Sequence, residues 1–295
     1  MAPSNGADEV ALQRSYSDAQ PIDEVTAEKL VNEIKQIMDQ LGVAFFLRQG
    51  TCLGAIRDKG FMPWDDDVDI GSIIGMHGLT EKTIETVAAT FRDNGYFVDI
   101  DCNDHYITAA MMKSSTRIDW TCYRIIDDSI VHYPAVWIPI RLFTSLKEID
   151  FIGAKFLVPS PPEEYLSLKY GPEWMTPKKP GEYEIDVLQM ALDAPSSDNN
   201  QHKSQRGGGE LRVLDNENGP VFGAKVRVAG VGCFTTNKFG YTKLNLPADG
   251  WYALVIKYHN HEEVLYMEKM NQDQTYTYRP DPSIESGRAC VLSAE

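Results

Sequence analysis

At 295 residues, 43% hydrophobic and 24% charged, the chain has the composition of a soluble globular protein long enough to bury two cores. Its net charge of −15 repels polyanions, which argues against nucleic acid as a partner, and no apolar run approaches the ~20 residues of a membrane span. No basic stretch leads into an apolar one at the N-terminus, and the five cysteines form no paired framework, so a cytoplasmic protein with reduced thiols is expected.

Residues 1–22 are polar with no sustained period and read as a flexible arm. A helix is predicted from Thr26, an N-cap with Glu28 in the first turn, because Leu30, Ile34, Ile37, Met38 and Leu41 follow helical spacing up to Gly42. Val43–Leu47 then reads as a buried strand leading into Gly50. Thr80 is expected to cap a second helix, with Ile84, Val87, Ala88 and Phe91 on one face and Asn94-Gly95 as its stop. Strand-like runs follow at 96–101, 106–112 and 117–126. This mixture predicts an α/β (α+β) domain with a mixed sheet over residues 23–194.

Residues 195–209, PSSDNNQHKSQRGGG, form a polar linker. Beyond it, short strands at 211–215, 224–228, 241–246 and 251–256 alternate with turn signals, which predicts an all-β sandwich over 210–282 and a tail at 283–295. The acidity belongs to the first part of the chain. Residues 207–295 hold 9 Lys and Arg against 11 Asp and Glu, leaving 19 against 32 on residues 1–206. Such an acidic half still accepts a single nucleotide chelated through a metal, or a neutral or zwitterionic acceptor.

The most informative stretch runs from Gly50 to Gly71, GTCLGAIRDKGFMPWDDDVDIG. Asp67 and Asp69 alternate with Val68 and Ile70, so in an extended strand the carboxylates share one face while the apolar pair enters a core. Two carboxylates held ~4 Å apart repel by about 4 kcal/mol at an effective dielectric near 20. A divalent cation, Mg²⁺ or Mn²⁺, is the usual remedy, with Asp65 ranking behind the other two as a ligand and Asp66 facing away. A solvated acidic turn is the competing reading. Upstream, Gly50 and Thr51 open a helix-like CLGAI run whose backbone N–H groups suit phosphate oxygens.

This segment resembles the signature of the LicD family, which includes the fukutin-related transferases, within the nucleotidyltransferase superfamily. The residues that carry the likeness are Gly50-Thr51-Cys52-Leu53-Gly54-Ala55-Ile56-Arg57, Phe61-Met62-Pro63-Trp64-Asp65-Asp66-Asp67-Val68-Asp69-Ile70 and a later element from Glu164-Tyr165-Leu166 to Lys169-Tyr170-Gly171. Cys52, Arg48 and Asp58 depart modestly from the family pattern. The resemblance covers roughly residues 25–180 and implies a nucleotidyltransferase-like fold. It also implies a third metal-binding carboxylate on a neighbouring strand, matched by Asp119 between Ile118 and Trp120; a surface pair with Arg117 or Arg124 is the alternative for that residue. Arg57 and, outside the motif, Lys59 are candidates for phosphate oxygens.

The implied activity is metal-dependent transfer of a substituted phosphate, phosphocholine-like, from a CDP-alcohol to a hydroxyl of a sugar or glycan. Transfer of NMP onto a small-molecule hydroxyl is one alternative, and a non-catalytic binding protein with a degenerate enzyme domain is another. Tyr133, Trp137 and Arg141 are candidates for an acceptor pocket, and His259 with His261 for a strand-borne metal pair, although aromatic core and exposed strand explain them as well. In the C-terminal half, the pattern V-x-D-x-x-G-x-P followed by G-A-x-V and T-x-x-x-G-Y resembles the transthyretin-like regulatory domain found beside carboxypeptidases. That likeness implies docking, acceptor presentation or homo-oligomerisation rather than catalysis.

Overall fold

Asp8 accepts a hydrogen bond from the Ala11 N–H at 2.7 Å and so caps helix α1 (Glu9–Ser17) inside the segment expected to be a flexible arm. Leu12, only 1% exposed, docks that helix against Ala110 and Met112. The arm reading is thereby corrected for these residues. The computed structural model describes residues 6–18, 20–179, 182–193, 208–281 and 288–295, so the 195–207 part of the expected linker lies outside them. Two units are distinguished: Met1–Val131 with Trp137–Met175, and His132–Val136 with Thr176–Glu295.

In the first unit, helix α2 (Glu24–Leu41) is capped by Asp23 rather than Thr26, whose N–H Asp23 accepts at 2.9 Å. Gly42 ends it with φ 68°, a left-handed conformation that suits glycine. The expected strand after it shrinks to β1 (Phe46–Leu47), followed by helix α3 (Gln49–Leu53) and a wide π-type turn (Gly54–Asp58). Strand β2 (Asp67–Ile73) begins at Asp67, and helix α4 (Glu81–Asp93) is capped by Thr80 as predicted. Strands β3 (Phe97–Cys102), β4 (Tyr106–Lys113) and β5 (Thr116–Tyr123) complete a mixed sheet in the order β1-β2-β5-β4-β3. Only β2 and β5 are parallel in it. One sheet face is apolar: Val68, Ile70, Ile118 and Trp120 are wholly buried, and Phe91 of α4 meets Trp120 edge to face.

Two small hairpins follow, β6 (Ser129–His132) with β7 (Val136–Pro139), and β8 (Lys147–Phe151) with β9 (Ala154–Val158). Helix α5 (Pro162–Tyr170) starts with a proline, which costs the first turn no hydrogen bond, and ends at Gly171.

In the second unit, helix α6 (Glu182–Asp193) places Leu188 against Ala229, Ala253, Val255 and Val264. Strands β10 (Gly209–Val213), β11 (Lys225–Val228), β12 (Gly232–Thr235), β13 (Tyr241–Leu244) and β14 (Gly250–Tyr258) are followed by β15 (His261–Met270), β16 (Thr275–Tyr278), β17 (Arg288–Ala289) and β18 (Ser293–Ala294). They form two sheets, β13-β10-β16-β18 and β12-β11-β14-β15-β17. Leu211, Leu244 and Tyr276 from one sheet share a core with Val226, Leu254 and Leu265 from the other. Among the described residues no helix is long and apolar enough to cross a membrane. All five cysteines are free thiols, with Cys52 and Cys122 buried.

Candidate functional site

Over β2 and β5 the other face of the first unit's sheet is polar, and its layout follows from register. Asp67 pairs with Arg117 and Asp69 with Asp119 across the parallel β2–β5 ladder. Because alternate residues share a face, these four side chains occupy one patch. Asp67, Asp69 and Asp119, expected to act together, are therefore neighbours.

Arg117 donates to Asp67 at 2.6 Å and to Asp66 at 2.9 Å, and its Nε lies 3.5 Å from Asp119. The alternative partner of Asp119, Arg124, instead pairs with Glu81. On the far side Arg48, 5% exposed, pairs with Asp69 at 2.7 Å and donates to the Ile70 carbonyl at 3.1 Å and the Tyr123 hydroxyl at 3.2 Å. Both arginines were visible in the sequence, Arg48 only as a departure from the family pattern and Arg117 only as a surface partner. Alternation could have found Arg117, two residues before Asp119 and so on the same face.

Asp66 corrects another expectation. It precedes β2 rather than lying within it, so alternation does not turn it away, and it shares the Arg117 guanidinium with Asp67. Asp65, Asp66 and Asp67 each bring a carboxylate oxygen within 4.8 Å of the others'. Asp65 owes its position to a glycine: a Cβ on Gly50 would sit 2.9 Å from its Oδ1.

Five carboxylates thus meet two guanidiniums, and the shortage of positive charge shows in two ways. Buried Oδ2 of Asp65 and buried Oδ1 of Asp119 have no hydrogen-bond partner. Burial also pushes the Asp69 carboxyl up to about 8, against the pull of Arg48, and the Asp119 carboxyl up to about 7, against Arg117. Burial, with Asp67 beside it, holds Asp65 well above the ordinary carboxylate range. A hard divalent cation suits this all-oxygen donor set and would supply the missing charge.

The residues expected to face phosphate are placed differently from one another. Thr51 is wholly buried, and its hydroxyl accepts the Asp69 N–H at 2.8 Å, tying α3 to β2. Tyr165, from the second family element, reaches the same helix by accepting the Gln49 N–H at 3.0 Å. Arg57 grips Asp58 through two bonds of 2.8 and 2.7 Å, and Lys59 donates to the Ile56 carbonyl. Trp137 is 44% exposed, Arg141 pairs with Glu164, and Tyr133 donates to the Tyr266 carbonyl inside the second unit. His259 lies in a turn with φ 47° rather than on the strand, and His261 lies 2.6 Å from the Tyr278 hydroxyl, so the two do not form a strand-borne pair.

Residues 42–161 match the LicD/FKTN/FKRP nucleotidyltransferase domain. This supports a LicD/FKTN/FKRP domain in the N-terminal half; the second unit's strands lie beyond the matched residues. Over 68 residues the chain is 37% identical to the ribitol-5-phosphate transferase FKTN of Mus musculus, covering 22% of this chain and 15% of that protein. It is 26% identical over 144 residues to the ribitol 5-phosphate transferase FKRP of Mus musculus, covering 46% and 29%. Over 34 residues it is 47% identical to the lipopolysaccharide cholinephosphotransferase LicD of Haemophilus influenzae, covering 12% and 13%. The chain thus spans well under two thirds of the length of each of these relatives.

Proposed function

We propose that the first unit is a metal-dependent transferase that moves a substituted phosphate from a CDP-activated alcohol to a hydroxyl of a sugar or glycan. The observation that carries this reading is the patch of Asp67, Asp69 and Asp119, with two buried carboxylate oxygens lacking partners nearby. Phospho-alcohol transfer by the named relatives supplies the reaction class. In this proposal Asp67, Asp69 and Asp119 hold Mg²⁺ or Mn²⁺, with Asp65 at the margin. The bound cation would offset charge on the transferring phosphate and make the attacking hydroxyl more acidic.

The chain's own groups prepare that patch. Arg48 fixes the Asp69 carboxylate by a 2.7 Å pair, and Thr51 fixes its backbone. We therefore assign Thr51 a positioning role, and place Gly50 and Arg57 on the phosphate side; Arg57 would exchange Asp58 for phosphate oxygens there. The second unit's two sheets would form an all-β sandwich that docks a partner or a second copy of the chain.

The test is a panel of CDP-alcohols and NTPs incubated with the protein and Mg²⁺, with the released nucleotide identified. Release of CMP from a CDP-alcohol is expected. Pyrophosphate release from an NTP would replace the proposal with NMP transfer, and failure to show any Mg²⁺-dependent thermal shift would indicate a degenerate binding domain.

A further inference from the structure

Helix α1 stands on the carboxylate-bearing face of the sheet, over β4 and beside the acidic patch. Leu12 packs on Ala110 and Met112, and these residues pair across β4–β5 with Asp119 and Arg117 respectively. At its C-terminal end, α1 takes hold of Arg117. The Arg117 Nη1 donates to the Ser15 carbonyl at 3.1 Å and lies 3.3 Å from the Ser15 hydroxyl, and the Tyr16 ring covers the guanidinium at 4.5 Å.

Arg117 consequently sits where a cation is wanted. Its guanidinium serves Asp66, Asp67 and Asp119 together, and Asp67 and Asp119 are two of the three proposed metal ligands. A divalent ion and this guanidinium compete for the same carboxylate oxygens, and Arg117 in turn is held by α1. We infer that α1, through Ser15, Tyr16 and Arg117, is a latch on the metal site: docked, it seats Arg117 as a resident counter-cation, and metal binding releases it. The inference rests on the metal reading above. Since coupling between two sites is reciprocal, loosening α1 must tighten metal binding by the same factor by which metal loosens α1.

The test uses the full chain and Mn²⁺ alone. Calorimetry gives the Mn²⁺ Kd of the wild type, of Leu12→Asn, which undocks α1 without adding charge beside the patch, and of the milder Tyr16→Ala. Hydrogen exchange follows residues 10–16 of the wild type with and without Mn²⁺. We expect Leu12→Asn to tighten Mn²⁺ about tenfold, Tyr16→Ala to do so less, and Mn²⁺ to speed exchange in α1. A helix that merely supports the fold would give the reverse, weaker binding once undocked. Equal or weaker binding by both variants, or slower α1 exchange with Mn²⁺ bound, overturns the latch while leaving the metal site standing. Failure of wild type and variants alike to bind Mn²⁺ overturns both.

Discussion

Glu268 of the second unit, 1% exposed, accepts the Val291 N–H at 2.8 Å and the Leu292 N–H at 2.9 Å. Its neighbour in that unit, Glu263, accepts the Tyr278 hydroxyl. In the first unit, Asp65 and Asp119 each leave a buried carboxylate oxygen with no partner. The same functional group is buried in both places under opposite rules. A carboxylate supplied with fixed donors holds the fold together; one left short of donors raises the energy of the fold.

The contrast is most exposed in turnover. Asp69→Asn and Asp119→Asn should each lower CMP release by roughly 10³-fold, because stabilising charge on the transferring phosphate is most of what such a site supplies. In chelating buffer their thermal midpoints should hold or rise. Retained turnover with a lowered midpoint would class them with Glu268. Asp66→Asn, which loosens Arg117 without removing a proposed ligand, should cost about tenfold, the equivalent of ~1.4 kcal/mol.

Glu268→Ala should show the converse. Two backbone N–H groups lose their acceptor, so unfolding of the second unit should become about 2 kcal/mol easier, while CMP release is unchanged. A variant that unfolds as the wild type does would remove Glu268 from the structural side of the comparison.

Acidity offers a gentler probe. Asp69 and Asp119 hold protons in the native state up to pH values near 8 and 7, whereas the unfolded chain releases them near the ordinary carboxylate range. Between those limits the native state binds more protons, so stability is greatest at the acid end and falls as pH rises. In chelator the thermal midpoint should drop by roughly 10 °C or more between pH 5 and 8, and saturating Mg²⁺ should flatten the slope. A slope of the opposite sign would mean that the carboxylates are already compensated. The smallest effect concerns thiols: Cys102, Cys233 and Cys290 are exposed and should label in the native protein, while Cys52 and Cys122 should wait for unfolding.

Much of this was legible because β2 states its own register. Asp-Val-Asp-Ile alternation places two carboxylates on one face and two wholly buried residues on the other, and the ladder does so. Helix caps at Thr80 and Gly42 were readable for the same local reason. What escaped was tertiary. Helix α1 has one buried leucine, too little for a periodic signal, and depends on Ala110 and Met112, which lie about a hundred residues further along the chain. Arg48 announces nothing by spacing; it matters because β1 runs antiparallel to β2 and so delivers it beside Asp69.

The parallel pairing of β2 with β5 also has a kinetic meaning. Between Asp69 and Asp119 the chain runs through α4, β3 and β4, so the patch joins residues far apart in sequence and no local fragment holds it. Parallel contacts of long sequence separation form slowly because loop closure precedes their reward. Here like charges are also brought together at that step. On the proposed metal reading, a divalent ion in the refolding buffer would ease that meeting of carboxylates, and refolding rates compared with and without Mg²⁺ would show it as faster folding at unchanged unfolding.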